Sequence, residues 1–311
     1  MEKLVYGPVP SRRFGISLGV DVVPFKVCTL DCTYCQLGHT TRHSTRRELF
    51  VPVARVVEQV GAAISRGPIP DIITFAGSGE PTLYSGLGEL AEELRATFSI
   101  PLLLITNGTL LWQPEVAAEA ARFDLVAPSL DAGDEATFRL LNRPAPEVTF
   151  QRLVEGLTSF AACHPEKVRL EVFFVAGVND SPEQVEALVA TVTAIAAPRV
   201  ELNTAVRPTA DASVRGVSAE FLADVARRFT CPAIPIAVSP IAASRVAQSG
   251  TGDLRTDILT TLARRPCTAA DLSNSMALHL PQVETTLQVL LAEGKIAAEA
   301  RANALYYVLR P

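Results

Sequence analysis

The sequence places three cysteines in one short stretch, Cys28-Thr29-Leu30-Asp31-Cys32-Thr33-Tyr34-Cys35. The other three cysteines are single and widely separated, at Cys163, Cys231 and Cys267. Clustered cysteines in a large chain favour metal binding or catalysis over disulfide bonds. The single cysteines have no spacing pattern, so we expect them to pack as small buried groups.

The spacing of Cys28, Cys32 and Cys35 is C-x3-C-x2-C, and no fourth cysteine follows at a matching distance. Three thiolates on one loop can bind three irons of a four-iron cluster, which leaves the fourth iron open to an exogenous ligand. His39 also follows closely, so a zinc site with three sulfurs and one nitrogen is a second interpretation. Reduced structural thiols are a third.

The bulk composition describes a globular chain with a large core. It has 311 residues, 48% of them hydrophobic, a formal net charge of -5 and a pI of about 5.5. Length predicts one large domain with a small one, or two of medium size. The acidic balance gives no general attraction to nucleic acid or to an anionic membrane. Residues 1–14 do not form a secretory signal, and we expect a cytoplasmic protein with no membrane partner.

From about residue 50 onward, short β-rich runs alternate with stretches of helical spacing. The strands of this region are predicted at residues 71–76, 101–106, 124–129, 168–175, 199–204 and 234–238, and a first strand at residues 16–23 precedes the cysteines. The helical stripes lie at residues 53–64, 87–98, 153–161, 185–195 and 221–229. Such repeated units predict an α/β fold with a parallel sheet, here a partial (β/α)6 TIM-like barrel. Chemistry is then expected beyond the carboxyl ends of the strands.

The last 60 residues have a different pattern. Helices are predicted at residues 254–263, 269–275 and 281–293, followed by a hairpin of residues 296–300 and 305–309. We therefore predict a barrel domain at residues 1–240, a linker at 241–252 and a winged helix–turn–helix domain at 253–311. Its third helix contains no Lys or Arg, so a docking or structural role is expected rather than DNA binding.

The cysteine spacing, with the aromatic Tyr34 directly before Cys35, resembles the signature of the radical S-adenosylmethionine superfamily. The element Gly77-Ser78-Gly79-Glu80-Pro81 is similar to the Gly-Gly-Glu element of that superfamily. Glycines there allow backbone carbonyls to approach the methionine ammonium group closely. The resemblance implies a 4Fe-4S cluster bound by Cys28, Cys32 and Cys35, with S-adenosylmethionine as the second cofactor.

The resemblance also implies a set of cofactor-binding residues at the strand ends. These are Tyr34, Gly77, Gly79, Glu80, Pro81, Asn107, Ser129, Asp131 and Asn203. Catalytic residues acting on the substrate are not assigned. Arg12 and Arg13 are interpreted either as contacts to an anion or as part of a solvated segment.

The opening, Tyr6-Gly7-Pro8-Val9-Pro10-Ser11-Arg12-Arg13-Phe14-Gly15, narrows the resemblance to the branch related to wyosine synthetase. That branch implies modification of a tRNA guanosine. True wyosine synthetases carry a second cysteine triad near the amino terminus, and here no cysteine precedes Cys28. The substrate is therefore left open as a small molecule, an RNA base or a polypeptide.

Three functions remain under consideration. The first is an enzyme that cleaves S-adenosylmethionine to a 5′-deoxyadenosyl radical, with flavodoxin or ferredoxin as a reducing partner. The second is a glycyl-radical or peptide-modifying activase that uses the winged helix for docking. The third is a non-catalytic iron–sulfur regulator that binds DNA, which the residues 77–81 argue against.

Overall fold

The computed structural model describes residues 3–11, 13–67, 69–236, 254–276, 278–301 and 304–310. Its first ten strands are β1 Val5–Ser11, β2 Gly15–Val20, β3 Val27–Cys28, β4 Arg42–His43, β5 Ile72–Phe75, β6 Leu102–Thr106, β7 Leu125–Pro128, β8 Leu170–Phe174, β9 Val200–Thr204 and β10 Ala233–Pro235. The helices that accompany them are α1 Val53–Arg66, α2 Leu87–Thr97, α3 Pro114–Ala120, α4 Glu135–Asn142, α5 Phe150–Cys163, α6 Pro182–Ile195 and α7 Ala219–Ala226.

Eight of these strands form two sheets that meet at β7 and β8, and the short strands β3 and β4 pair with each other in a separate parallel sheet. Of the two larger sheets, one has the order β1-β2-β5-β6-β7 and the other β10-β9-β8, and all neighbours are parallel except β1 and β2. Two isolated parallel bridges, Val126 to Val168 and Ser129 to Glu171, connect them. Six strand–helix units run from β2 to α7, so the predicted α/β fold with a parallel sheet is confirmed.

Side-chain caps fix where several of the helices begin. Asp134 accepts a hydrogen bond from Thr137 N at the start of α4, and Ser181 caps α6 in the same way with Pro182 at the first helical position. Thr149 caps α5. Caps of this kind satisfy backbone N–H groups that have no partner inside the helix.

The structure adds elements that the sequence pattern did not predict. Strand β1 contains Gly7, Pro8 and Pro10, residues that usually mark turns, yet it pairs antiparallel with β2. Helices α3 and α4 have seven and eight residues, which is too short to show a clear apolar period. Cys163, expected to be buried, is exposed at the last residue of α5, whereas Cys267 is buried and Cys231 is half-buried.

The carboxyl-terminal residues form α8 Leu254–Leu262, α9 Ala269–Met276, α10 Leu280–Ala292, β11 Ile296–Arg301 and β12 Ala304–Leu309. The two strands pair antiparallel. Ile258, Leu272 and Leu287 are fully buried in a core that is separate from that of the barrel. Three helices and a hairpin therefore occur in the predicted order. The predicted linker, residues 241–252, lies outside the described residues.

The carboxyl-terminal helices contact the first strands of the sheet. Lys3 pairs with Asp257 at 3.0 Å, and Arg264 Nε lies 3.0 Å from Asp21 Oδ2. The Tyr306 hydroxyl donates to the Val206 carbonyl at 2.9 Å. Within the part of the chain that is described, no helix is long and apolar enough to cross a membrane.

Candidate functional site

The cysteine loop follows β3 and is fixed by backbone hydrogen bonds to distant segments. Thr33 N donates to Leu141 O at 2.9 Å and Asp31 N to Asn142 O at 3.0 Å. On the other side, Ala210 N donates to Cys35 O at 2.7 Å and Asp211 N to Thr33 O at 2.9 Å. The end of α4 and the segment after β9 therefore hold the loop in one conformation.

A nitrogen donor lies beside each of the three sulfurs. The sequence analysis did not predict that any of these three residues would contact a cysteine sulfur. The contacts are Asn107 Nδ2 to Cys28 Sγ at 3.6 Å, Asn142 Nδ2 to Cys32 Sγ at 3.4 Å and Lys26 Nζ to Cys35 Sγ at 3.2 Å. Donors around thiolate ligands stabilise the negative charge of an iron–sulfur centre.

The positions of His39 and the three cysteines do not support the zinc interpretation. His39 Nδ1 lies 3.1 Å from Asp31 Oδ2, so its ring is engaged with that carboxylate. Among the residues that the structure describes, no group of three or more His, Cys, Asp or Glu side chains could hold a single metal ion. The sulfur ligands of a four-iron cluster sit on different irons, and that arrangement needs a wider spacing than one ion does.

The glycine-rich turn after β5 packs against the segment that leads into the cysteine loop. Gly77 has a φ of 155°, and a Cβ there would clash with the Asp21 carboxylate. A Cβ on Gly79 would clash with the Val27 carbonyl oxygen. Contacts within the chain thus require glycine at both positions, and the predicted approach of a ligand stays a prediction.

Asp21 holds the same turn from the side. Its Oδ1 accepts from Ser78 N at 3.0 Å and its Oδ2 from Ser78 Oγ at 2.6 Å. Burial raises the pKa of Asp21, and the nearby Arg264 opposes that shift. No sequence motif singles out this carboxylate, which directly follows the hydrophobic strand β2.

Glu80 connects the ends of β5 and β6 from inside the protein. It is 2% exposed, and it accepts hydrogen bonds from Thr106 Oγ1 at 2.6 Å and Asn107 N at 2.8 Å. It also accepts from both N and Oγ1 of Thr82, in the short turn Pro81–Leu83. Burial raises the pKa of Glu80. Glu80 therefore positions Asn107 beside the first cysteine.

Tyr34 and Asp131 form a buried pair behind the cysteine loop. The Tyr34 hydroxyl donates to Asp131 Oδ2, and its ring stacks on Phe173 with the ring centroids 4.0 Å apart. Asp131 also accepts from Asn142 Nδ2 at 2.8 Å and Phe173 N at 2.9 Å. Burial raises the pKa of Asp131 to about 6.

The two remaining predicted residues lie further along the sheet. Ser129 follows β7 and bridges to Glu171, whereas Asn203 in β9 donates to Glu171 Oε1 at 3.3 Å. Asn203 lines a cavity of about 200 Å³ together with Arg13. Arg13 pairs with Glu171 at 2.6 Å and Glu201 at 2.8 Å, so it is not part of a solvated segment. Arg12 lies outside the described residues.

A larger cavity of about 780 Å³ lies between the cysteine side of the barrel and the carboxyl-terminal helices. Gln36 and Gly38, directly after the cysteine loop, line it together with Ser78 of the glycine turn. Arg264 and Leu309 line it from the carboxyl-terminal side. The volume is in the range of small-molecule sites.

The part of the chain that contains the cysteine loop matches a protein-family model. The model described as the radical SAM superfamily matches residues 22–192, which include the cysteine loop, the glycine turn and Asp131. The chain belongs to the radical SAM superfamily. Members of this superfamily are enzymes that use S-adenosylmethionine and a 4Fe-4S cluster.

Two curated relatives and one solved structure are similar to this radical SAM chain. A protein named GTPase Obg from Brachyspira hyodysenteriae is 35% identical over 308 residues, covering 99% of this chain but only 45% of that protein. A UPF0026 protein of Methanocaldococcus jannaschii is 32% identical over 225 residues, covering 71% of this chain and 70% of that protein. A radical SAM methyltransferase from Sphaerobacter thermophilus shares the fold, with a TM-score of 0.54, 22% identity and coverage of 70% and 66%.

The residues of this radical SAM chain fit an iron–sulfur cluster. The three ligand candidates are all sulfur, which iron–sulfur centres prefer, and each has a nitrogen donor within 3.6 Å. Cys267 is buried in the separate carboxyl-terminal core, and Cys163 is exposed on α5.

Proposed function

We propose that the chain holds a 4Fe-4S cluster on Cys28, Cys32 and Cys35 and reductively cleaves S-adenosylmethionine. The single observation that carries the proposal is one rigid loop that bears three thiols, each beside a nitrogen donor. The bound cluster supplies the electron that breaks a sulfonium–carbon bond of S-adenosylmethionine, giving methionine and a 5′-deoxyadenosyl radical.

The chain itself binds and orients the cofactors. Gly77, Gly79 and Pro81 shape the turn that faces the methionine end, and Glu80 fixes that turn to Asn107 without leaving the interior. The remaining polar residues proposed to hold S-adenosylmethionine are Tyr34, Ser129, Asp131 and Asn203. Ser129 and Asp131 follow β7 and Asn203 lies near the carboxyl end of β9, whereas Tyr34 lies in the cysteine loop and donates to Asp131; these positions support the assignment.

Buried apolar side chains next to the cysteine loop form a wall that would keep water away from the proposed radical. Leu141, Phe173, Val175 and Val214 are buried together, and Tyr34 packs against them. A reactive radical must be kept from solvent to avoid side reactions. The wall lies on the side of the loop where the Asp131 carboxylate is found.

The carboxyl-terminal residues 253–311 are proposed to be a winged helix–turn–helix domain, joined by the linker 241–252 to the barrel domain 1–240. Their helix α10 has no Lys or Arg, which supports docking of a polypeptide or a structural role rather than DNA binding. A flavodoxin or ferredoxin is proposed as the reducing partner. The substrate is unassigned among a small molecule, an RNA base such as one in tRNA, and a polypeptide.

The test is anaerobic reconstitution followed by addition of dithionite and S-adenosylmethionine. We expect four irons and four sulfides per chain and formation of 5′-deoxyadenosine, which chromatography detects. Cys32→Ala should abolish the product, whereas the exposed Cys163→Ala should retain it. His39→Ala should also retain it, because His39 is engaged with Asp31. A single zinc ion lost in His39→Ala, with no sulfide, would refute the proposal.

A further inference from the structure

We infer that Lys26 is a charge-compensating residue that raises the reduction potential of the cluster. The inference deepens the proposed function and rests on it. An electron must enter the cluster before S-adenosylmethionine is cleaved. The inference is that Lys26, a residue outside the cysteine motif, makes the cluster easier to reduce.

Lys26 is unusual in its burial. The residue is 3% exposed, and Nζ contacts Cys35 Sγ at 3.2 Å. A lysine is almost never buried unless its charge is paired. None of the ion pairs found in the described part of the chain joins Lys26 to a carboxylate, and its contact is a sulfur. A cluster thiolate is the anion that this ammonium group matches.

The backbone of Lys26 is itself held in an unusual conformation. Its φ is 60°, a left-handed conformation that non-glycine residues rarely adopt. Lys26 N donates to Ser78 O at 2.7 Å, and its carbonyl accepts from Thr41 N at 3.0 Å and Arg42 N at 3.1 Å. A strained backbone held by three hydrogen bonds is typical of a position with a functional constraint.

Lys26 differs from the two amide donors at the site in carrying a charge. Asn107 and Asn142 donate to Cys28 and Cys32 through neutral groups. One-electron reduction adds a negative charge to the cluster, and a fixed positive charge nearby stabilises the reduced form more than the oxidised form. Glu80 lies near Cys28 and, because its charge is negative, acts in the opposite sense. Lys26 therefore favours electron uptake, and its removal should lower the potential.

The experiment is a redox titration of the reconstituted cluster, followed by electron paramagnetic resonance without S-adenosylmethionine. Lys26→Met keeps an unbranched side chain, shorter by one atom, and removes the charge. At the wild-type midpoint potential, we expect the ratio of reduced to oxidised cluster to fall at least tenfold, which is a shift of about 59 mV for one electron. Lys26→Arg should restore the ratio, and the exposed Lys295→Met should leave it unchanged.

Lys26→Gln separates charge from hydrogen bonding, because it keeps an N–H donor without the charge. It should lower the ratio as Lys26→Met does, and it provides the measurement if Lys26→Met does not load a cluster. A loaded Lys26→Gln or Lys26→Met with the wild-type potential overturns the inference and leaves the proposed function intact. A wild-type chain that loads no cluster overturns the proposed function itself.

Discussion

Breaking the ion pair between Arg264 and Asp21 should destabilise the protein strongly. The pair is nearly buried, with 12% and 5% of the two side chains exposed. Arg264 also donates to Lys3 O at 2.6 Å and lies over the Tyr6 ring, with its Cζ 5.1 Å from the centroid. Removing one partner of a buried pair leaves the other charge uncompensated, which costs about 3–5 kcal/mol. Arg264→Met is therefore expected to lower the free energy of unfolding by that amount.

Asp21→Asn should have a similar cost, because it leaves the Arg264 guanidinium without its anion. The double variant contains neither charge, so its cost should be smaller than the sum of the two single costs. We expect a coupling free energy of about 1–3 kcal/mol. The exposed pair between Arg255 and Glu293 provides the matched control, with 46% and 39% of the side chains exposed. Arg255→Met should cost less than about 1 kcal/mol.

Urea unfolding, followed by two probes, measures these values. Trp112 is the only tryptophan, and its fluorescence reports on the barrel, whereas far-ultraviolet circular dichroism reports on all helices. In the wild-type chain the two curves should coincide, and in Arg264→Met the circular dichroism curve should begin to fall at lower urea. Additive costs in the double variant, together with coincident curves in Arg264→Met, would refute the reasoning.

Two further predictions concern the site. Gly79→Ala should lower iron loading, because the new methyl group would displace the Val27 carbonyl next to the cysteine loop. The control is Gly61→Ala on α1, where the methyl group would meet Phe98 at 3.4 Å, and it should retain full loading in an iron assay. Burial raises the pKa of Asp131 from 3.8 to about 6, so its contribution to stability is complete below about pH 4 and is lost as the pH rises through about 6. Asp131→Asn should remove this loss of stability at higher pH. The prediction would be contradicted if the unfolding free energies of the wild type and of Asp131→Asn changed equally between pH 4 and pH 7.

The alternation of strands and helices could be predicted from sequence because each parallel strand is a short apolar run that ends in a polar turn. The predicted strand at residues 101–106 and the observed Leu102–Thr106 differ by one residue. Strand β1 could not be predicted in this way, because its glycine and prolines hide the pattern and its pairing with β2 supplies the order. Long-range pairing can override local propensity in this way.

In the candidate site, too, local features could be predicted from the sequence and long-range contacts could not. The cysteines were recognisable because their spacing alone defines three ligands. The nitrogen donors were not, because Asn142 reaches Cys32 across 110 residues of sequence and Lys26 reaches Cys35 only once the loop between them has folded. Contacts of this kind depend on tertiary structure, which no local pattern encodes.

The attachment of the cysteine loop to residues 141–145 and 210–211 has a consequence for biosynthesis. The loop lies near the amino terminus, yet its backbone partners leave the ribosome only after about two-thirds of the chain has been made. A nascent chain that ends before residue 211 therefore exposes three flexible thiols without the walls that hold them. Iron delivery is accordingly expected to follow the emergence of residues 210 and 211, rather than the earlier emergence of the cysteines themselves.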